Sequence, residues 1–329
     1  MIKTKKIDDN LLRLVIILAA FILMACITKP KNFMQLGNFH TMAKQMSEYG
    51  LMALGVGICM ISGGIDLSTV YIANLTGIVA GMMMQSMSVN AAGSGYIYLA
   101  VLVGILVGAA CGMFNGFLVS YLRIPAMLAT LGSYQLFMGI SIVISHGSTV
   151  SGIPESYTRM GTMLIARVPL AFIIFLLAVI FLTFVMNKTK FGQQVYLAGT
   201  NAKAAKFAGI KNNSVIIRTY MLSGVISAVA GLVSLARINS AKADFGTSYT
   251  MQTILIAVLG GVNPSGGFGS IFGIGIAVVI LQILSSYLNM FPNISNYYRN
   301  LIWGFALIAV LIINYVIGKR KMEKLRKMS

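Results

Sequence analysis

The sequence contains little charge. Only 10% of its 329 residues are Asp, Glu, Lys or Arg, whereas a soluble protein carries about 25%. Hydrophobic residues make up 57% of the chain and the mean hydropathy is +0.85. One soluble core cannot bury this much apolar surface, and several runs approach the roughly 20 residues that cross about 30 Å of hydrocarbon. The composition therefore predicts an all-α polytopic membrane protein with a single transmembrane domain over residues 1–329.

Groups that carry catalysis or bind metals are also scarce. The chain has seven acidic residues, two histidines and three cysteines, and none of them forms a cluster with the spacing of zinc ligands. Neither a GxxxxGK[ST] phosphate loop nor a GxSxG motif occurs, which excludes ATP hydrolysis by that route. We expect Asp66 to be the only acid near membrane depth. The sequence predicts a protein that is not an enzyme and that holds no cofactor or metal.

Acidic residues are far outnumbered by basic ones, and the formal net charge is +18. The hydrophobic runs predict about ten spans, at 11–28, 47–63, 67–86, 96–121, 126–145, 168–186, 215–236, 251–262, 269–288 and 300–318. Ten spans place both termini on one side. If that side is the cytoplasm, it holds most of the 25 basic residues, including the N-terminus 1–10, the connection 187–214 and the tail 319–329. The basic excess therefore indicates orientation and contact with anionic membrane lipid, and no nucleic acid is expected.

Two glycine-rich segments interrupt the apolar pattern, "ISGGIDLSTVYIANLTG" at 61–77 and "LGGVNPSGGFGSIFG" at 259–273. Glycine pairs are poor helix formers, and unsatisfied backbone is costly in hydrocarbon, so we predict helix breaks that lie inside protein, in a water-filled cavity or at the membrane interface. The glycines at these breaks are Gly63, Gly64, Gly260 and Gly261. The alternative is an ordinary turn in which Asp66 or Ser68 caps the next helix. The span at 251–262 also looks too short to cross unaided.

Neutral polar residues supply the candidates for a solute path. No predicted span carries a chain of Asp, Glu or His, which ion-driven carriers normally need. The path candidates are Asp66, Asn74, Asn115, Thr130 and Gln135. Each of the neutral ones alone also fits an interhelical hydrogen bond. The pattern is typical of a pathway for a polar solute without an energy source of its own.

A basic segment interrupts the apolar spans, "FGQQVYLAGTNAKAAKFAGI" at 191–210. Asn201 is a good N-cap and Gly209 a good C′ residue, so a helix of about seven residues is predicted between them. Such a helix is too short to be stable alone and must dock. It combines a slim face with one large apolar anchor, formed by Ala204, Ala205, Ala208 and Phe207. It fits a groove on a soluble partner; the alternative is a surface helix that lies on lipid headgroups through its lysines.

Four motifs together resemble one known family. They are "ALGVGICMISGGIDLS", "NGFLVSYLRIPAMLATLGSYQLFMGISIVIS", "FGQQVYLAGTNAKAAKFAGI" and "AVLGGVNPSGGFGSIFG". In order and spacing they closely resemble the membrane permease subunits of ABC importers for ribose and related sugars, over about residues 45–318. The resemblance implies a permease of ten helices in the bacterial cytoplasmic membrane, with a core related to the cobalamin and siderophore importers. It also implies three partners: a second permease, a cytoplasmic ATPase and an extracytoplasmic sugar-binding protein.

The same resemblance assigns a role to the basic segment. The stretch from Thr200 to Gly209 matches the family's coupling helix, which receives the motion driven by ATP in the ATPase subunit. One departure concerns the path, because Tyr71 stands where a small residue is common and its ring is expected to narrow the path or alter its selectivity. The expected function is inward movement of a sugar or sugar-like polar solute. The alternative is a secondary carrier or facilitator that works without an ATPase.

Overall fold

The computed structural model describes residues 9–88 and 95–291, together with residues 298, 301, 302, 304, 305, 308 and 312. The helices are α1 Asp9–Thr28, α2 Pro30–Phe33, α3 Leu36–Ile61, α4 Thr69–Ser88, α5 Gly95–Ser120, α6 Ala126–Ile144, α7 Glu155–Thr162, α8 Leu170–Lys188, α9 Lys190–Thr200, α10 Ala202–Phe207, α11 Asn212–Ile238, α12 Tyr249–Leu259 and α13 Ile271–Asn289. The strands are β1 Val150–Ser151, β2 Leu164–Ile165, β3 Val168–Pro169 and β4 Ser240–Ala241. The predicted tail 319–329, residues 1–8 and most of the predicted span 300–318 lie outside the described residues.

Seven of the described helices are long and apolar enough to cross a membrane, namely α1, α4, α5, α6, α8, α11 and α13. Each coincides within a few residues with a predicted span, so the helical, polytopic fold is confirmed. Helix α3 has 26 residues but is more polar, because it contains Lys44 and Glu48. Helix α12 has only 11 residues, which confirms that the segment around 251–262 is too short to cross unaided.

Helices α3 and α11 form the centre of the bundle. Every residue of α3 from Met46 to Ile61 is buried, and α11 packs against α3, α4 and α5. Helices α5 and α11 approach closely through glycines: a Cβ added at Gly112 would lie 2.2 Å from the carbonyl oxygen of Tyr220. Small residues permit such backbone contact between helices in a membrane, where dispersion and not the hydrophobic effect drives association.

The bundle has two distinct ends, which we call the α7 end and the α10 end. At the α7 end, β1 and β4 form an antiparallel pair, with Val150 opposite Ala241. Strands β2 and β3 form a hairpin, and α7 lies on α11 through a 2.9 Å hydrogen bond that the Tyr157 hydroxyl donates to the Leu232 carbonyl. Burial raises the pKa of Tyr157, so this hydroxyl stays protonated and remains a donor. The α10 end holds α9, α10 and the segments that follow α3 and α12.

Candidate functional site

Helix α10 begins and ends at the residues that its sequence predicts. The side chain of Asn201 accepts a 3.0 Å hydrogen bond from the Ala204 amide. At the other end, Gly209 has a φ of 81°, and its amide donates to the Lys206 carbonyl at 3.0 Å. The Ile210 amide donates to the Ala205 carbonyl, also at 3.0 Å. These two bonds form a Schellman motif, which ends a helix with a left-handed residue at C′.

The two faces of α10 have different environments. Ala205 is only 4% exposed, whereas Phe207 is 94% exposed. Lys203, Ala204, Lys206 and Ala208 are exposed as well. The prediction that Ala205 belongs to a free slim face is therefore wrong, because this methyl group packs against the chain's own helices. Phe207 is the large apolar side chain that α10 presents outward.

The first predicted break separates α3 from α4. Helix α3 ends at Ile61 and α4 begins at Thr69, and Gly63 between them has a φ of 94°. A Cβ added at Gly64 would lie 2.4 Å from the Tyr220 hydroxyl and 2.8 Å from the Ala126 Cβ. The break is thus enclosed by α6 and α11, as the cost of exposed backbone in hydrocarbon requires.

The second predicted break separates α12 from α13. Helix α12 ends at Leu259, and Gly261 has a φ of 91°. A Cβ added at Gly260 would lie 2.7 Å from the Ile274 Cα, so the two helix ends are in direct backbone contact. Helix α13 begins after Ser270, whose hydroxyl accepts a 3.1 Å bond from the Gly273 amide as an N-cap.

Both breaks meet the end of α9 in one place. The Gly267 amide donates a 2.9 Å hydrogen bond to the Ile61 carbonyl. A Cβ added at Gly199 would lie 2.0 Å from the Ile61 carbonyl oxygen, and one at Gly266 would lie 2.6 Å from the Gly63 Cα. We call this meeting point, formed by Gly63, Gly199, Gly266 and Gly267, the glycine junction. Side chains do not separate the three segments there, so a displacement of one meets the backbone of the others directly.

The glycine junction lies immediately before α10 in the chain. Gly199 and Thr200 end α9, and Asn201 starts α10. The Tyr196 hydroxyl, one turn earlier in α9, donates a 2.8 Å bond to the Gly269 carbonyl. Burial raises the pKa of Tyr196, so this hydroxyl also stays protonated and remains a donor. Helix α9 therefore contacts the second break at both ends of its last turn. Tyr196 bonds to Gly269, and the backbone of Gly199 lies against that of Gly267.

A cluster of buried polar side chains forms hydrogen bonds at the first break, the segment between α3 and α4. Asp66 is fully buried, and its Oδ1 accepts bonds from the Ser68 amide at 3.0 Å and the Ser68 hydroxyl at 2.6 Å. The Ser223 hydroxyl donates to Asp66 Oδ2 at 3.2 Å, and the Asn115 amide donates to the Ser68 oxygen at 2.7 Å. The Thr130 hydroxyl lies 3.0 Å from the Ile65 carbonyl oxygen and 2.9 Å from the Ala126 carbonyl oxygen of its own helix, and its one proton can be donated to either. Two path candidates, Asp66 and Asn115, thus stabilise the break, and Thr130 lies against it. The bond from the Ser68 amide to Asp66 closes a local turn before α4 and does not cap the first turn of that helix.

The remaining path candidates lie on α4 and α6. The Asn74 amide donates to the carbonyls of Ala243 and Phe245 at 3.0 and 2.8 Å. It thereby provides hydrogen-bond donors to backbone carbonyls in the non-helical segment that precedes α12. Backbone polar groups inside a membrane need such partners within the protein. Tyr71 is buried and its ring lies against that of Tyr134, with the ring centroids 4.6 Å apart and the ring planes tilted by 33°. Gln135, in the middle of α6, is exposed and donates to the Tyr134 hydroxyl at 2.6 Å.

One acid inside the predicted span 47–63 was not foreseen from the sequence. Glu48 is fully buried in α3 and pairs with Arg237 of α11 through both guanidinium nitrogens Nε and Nη2, the latter 2.9 Å from Oε2. The expectation that Asp66 is the only acid near membrane depth is therefore wrong. An acid inside the predicted span 47–63 was the available signal, because a charge at that depth normally has a partner. No group of three or more potential metal ligands occurs among the described residues.

A bundle of long apolar helices with two helix breaks and a short docked helix at one end is typical of a multi-pass membrane protein. The chain belongs to the family described as "Branched-chain amino acid transport system / permease component", which matches residues 38–311. It is 32% identical over 306 residues to the ribose import permease protein RbsC of Escherichia coli (strain K12), covering 91% of this chain and 92% of that relative. It is 31% identical over 302 residues to the autoinducer 2 import system permease protein LsrC of Yersinia enterocolitica, covering 92% and 81%. No solved structure matches the chain.

These comparisons confirm the resemblance read from the four motifs. The chain is a permease component of an ABC import system, and such subunits lack ATPase activity. An importer of this type works with an ATPase and a binding protein, so both are partners in the system. The chain itself contributes the membrane passage and is not an enzyme.

Proposed function

We propose that this permease moves a sugar or sugar-like polar solute inward, and that α10 is the coupling helix that receives the motion of the ATPase. The relatives that cover about nine tenths of the chain import ribose or autoinducer 2, which supports this class of solute over the amino acids in the family's description. An ATPase-independent carrier loses its support, because the chain belongs to an ABC import system.

The proposed topology has ten spans in a bacterial cytoplasmic membrane, with both termini in the cytoplasm. It adds α3, the short α12 with its non-helical entry, and the predicted span 300–318 to the seven long apolar helices. Basic residues support this orientation, because the α10 end carries Lys188, Lys190, Lys203, Lys206 and Lys211. The core relationship to the cobalamin and siderophore importers is part of this proposal.

One observation carries the coupling role: α10 is fixed on one face and open on the other. Ala205 packs inward while Phe207 is 94% exposed. The helix can therefore bind a partner through Phe207 while Ala205 keeps it packed on the permease. Behind it, the glycine junction connects the end of α9 to both helix breaks through backbone contacts. A displacement of α10 would therefore be transmitted to the segments before α4 and α13 through backbone contacts, and not through side chains that can change rotamer.

The exposed face of α6 supports a path shared with a second permease. Gln135 occupies the middle of this span, and its amide carbonyl has no hydrogen-bond partner among the described residues. An amide facing hydrocarbon at that depth is costly, which favours a face turned toward a polar path or another subunit. Next to it, the half-buried ring of Tyr134, which lies against Tyr71, provides an aromatic surface against which a sugar ring can pack.

Phe207→Ala tests the coupling role in vesicles that contain the permease, its ATPase and its binding protein. Burying such a side chain is worth roughly 1.5–3 kcal/mol, so the affinity for the ATPase should fall about ten- to more than a hundredfold. The permease should insert and unfold as the wild type does, because Phe207 contacts solvent. The matched variant replaces Lys203 and Lys206 by Ala; if α10 instead lies on lipid headgroups, this variant is the harmful one and Phe207→Ala binds the ATPase normally.

The same vesicles test the solute. Uptake driven by ATP is measured for ribose, for autoinducer 2 and for leucine, each with a binding protein that delivers it. We expect uptake of the sugar or the sugar-like signal and none of leucine. Leucine uptake alone would refute the proposed class of solute and leave the coupling role intact.

A further inference from the structure

A cavity of about 580 Å³ lies among α1, α3, α8 and α13. Its walls are almost entirely apolar and include Ile22, Phe33, Met46, Phe172 and Val279. This volume is within the range of roughly 300–1,000 Å³ that small-molecule sites occupy. Three of the four helices, α1, α8 and α13, are long and apolar enough to cross a membrane, and in a membrane a lipid acyl chain is the apolar molecule at highest concentration.

Among the described residues, the cation Arg167 lines this cavity. It occupies the two-residue turn of the β2–β3 hairpin, where Ala166 has a φ of 50° and Arg167 a φ of 68°. Such turns favour Asn-Gly, and two consecutive non-glycine residues in this conformation are costly. The turn is held by His40 of α3, whose Nε2 donates a 3.0 Å hydrogen bond to the Arg167 carbonyl. The backbone of Arg167 is therefore held beside the cavity in a left-handed conformation that is unfavourable for a non-glycine residue.

Arg167 is exposed and forms no ion pair with any residue that the structure describes. The exposed carboxylates at the α7 end are already paired. Glu155 lies 3.0 Å from Arg159, and Asp244 lies 3.1 Å from Lys242. An anion that pairs with Arg167 would therefore come from outside this part of the chain.

The residues beside Arg167 fit the boundary of a membrane. Met163, Leu164 and Ile165 are 50%, 45% and 44% exposed, so the hairpin presents apolar side chains outward next to a basic tip. An apolar surface with a neighbouring cation is typical of contact with the headgroup and acyl boundary. We propose that the cavity, which we call the tail groove, binds an acyl chain of an anionic phospholipid whose phosphate pairs with Arg167. With the proposed topology, this lipid belongs to the outer leaflet.

The test uses the whole permease in vesicles with phosphatidylglycerol that carries a photoreactive diazirine halfway along one acyl chain. After illumination, peptide mapping should find the lipid on tail-groove residues such as Met46 and Phe172. Arg167→Ala should lower this labelling about fivefold, the effect of one basic residue on an anionic lipid, and Arg167→Lys should largely restore it. Arg159→Ala is the matched control, because it removes a cation at the same end that does not line the groove, and labelling should stay at the wild-type level.

Ile22→Trp provides an independent variant, because it fills the groove from the exposed side of α1 and leaves Arg167 in place. It should lower labelling of Met46 and Phe172 and spare lipid contacts elsewhere. Equal labelling in wild type, Arg167→Ala and Ile22→Trp would overturn the proposal, since the lipid would then be nonspecific. A spontaneous disulfide between the native Cys26, which lines the groove, and Phe305→Cys would also overturn it, because the chain's own C-terminal helix would then occupy the space.

Discussion

Gly199→Ala adds a single methyl group at the glycine junction. Its Cβ would lie 2.0 Å from the Ile61 carbonyl oxygen and 2.7 Å from the Gly267 nitrogen. Ordinary contacts are about 3.5 Å, so the end of α9 must move by ~1.5 Å, and both neighbours are backbone atoms that cannot rotate away. Overpacking of this kind costs about 1–3 kcal/mol. Because alanine is about 1 kcal/mol better than glycine inside a helix, α9 itself should remain folded.

The expected result is a permease that binds its ATPase but transports poorly. Helix α10 keeps its own caps at Asn201 and Gly209, so ATPase association measured by co-purification should be near normal, while ATP-driven uptake falls about tenfold or more. Gly37→Ala is the control, because Gly37 is also helical and has no atom within 4 Å of an added Cβ. Wild-type uptake by Gly199→Ala would refute the reasoning that the junction transmits motion.

Two further predictions follow from buried contacts. Arg237→Met leaves the buried carboxylate of Glu48 unpaired and should destabilise the permease by about 3–5 kcal/mol, seen as a lower unfolding temperature in detergent; adding Glu48→Gln should recover most of the loss, and no recovery would mean that Arg237 acts through packing. Gly64→Leu should impair folding or uptake more than Gly104→Leu, because its Cβ meets a hydroxyl at 2.4 Å whereas the nearest atom to a Cβ at Gly104 is a methyl group at 3.1 Å. Equal damage at both positions would contradict the reasoning that the closer contact at Gly64 sets the larger cost.

Local features of the site were predictable from the sequence. The caps of α10 follow from Asn201 and Gly209, because capping depends on side chains and dihedral angles within a few residues. The glycine pairs at 63–64 and 260–261 predicted the two breaks for the same reason. The seven long apolar helices follow from hydropathy, which directly measures the cost of transfer into a bilayer.

Contacts between distant residues were not predictable in this way. The direction of α10 depends on how it docks, so the sequence did not show that Ala205 faces inward while Phe207 faces outward. Gly199 lies inside a helix, where glycine is unfavourable, and this was a usable hint of a close approach. Its contact with Gly267 and Ile61, however, joins three segments that are far apart in the chain. The pairing of Glu48 with Arg237, 189 residues away, needs the fold itself.

The pairing of β1 with β4 gives the molecule a continuous connection from the α7 end of the bundle to the α10 end. Val150 follows α6, and its partner Ala241 begins the non-helical stretch that leads into α12. Helix α12 in turn leads to the break whose Gly267 contacts the end of α9. A displacement of the loop after α6 can thus be transmitted to α10 through strand hydrogen bonds, main chain and the glycine junction.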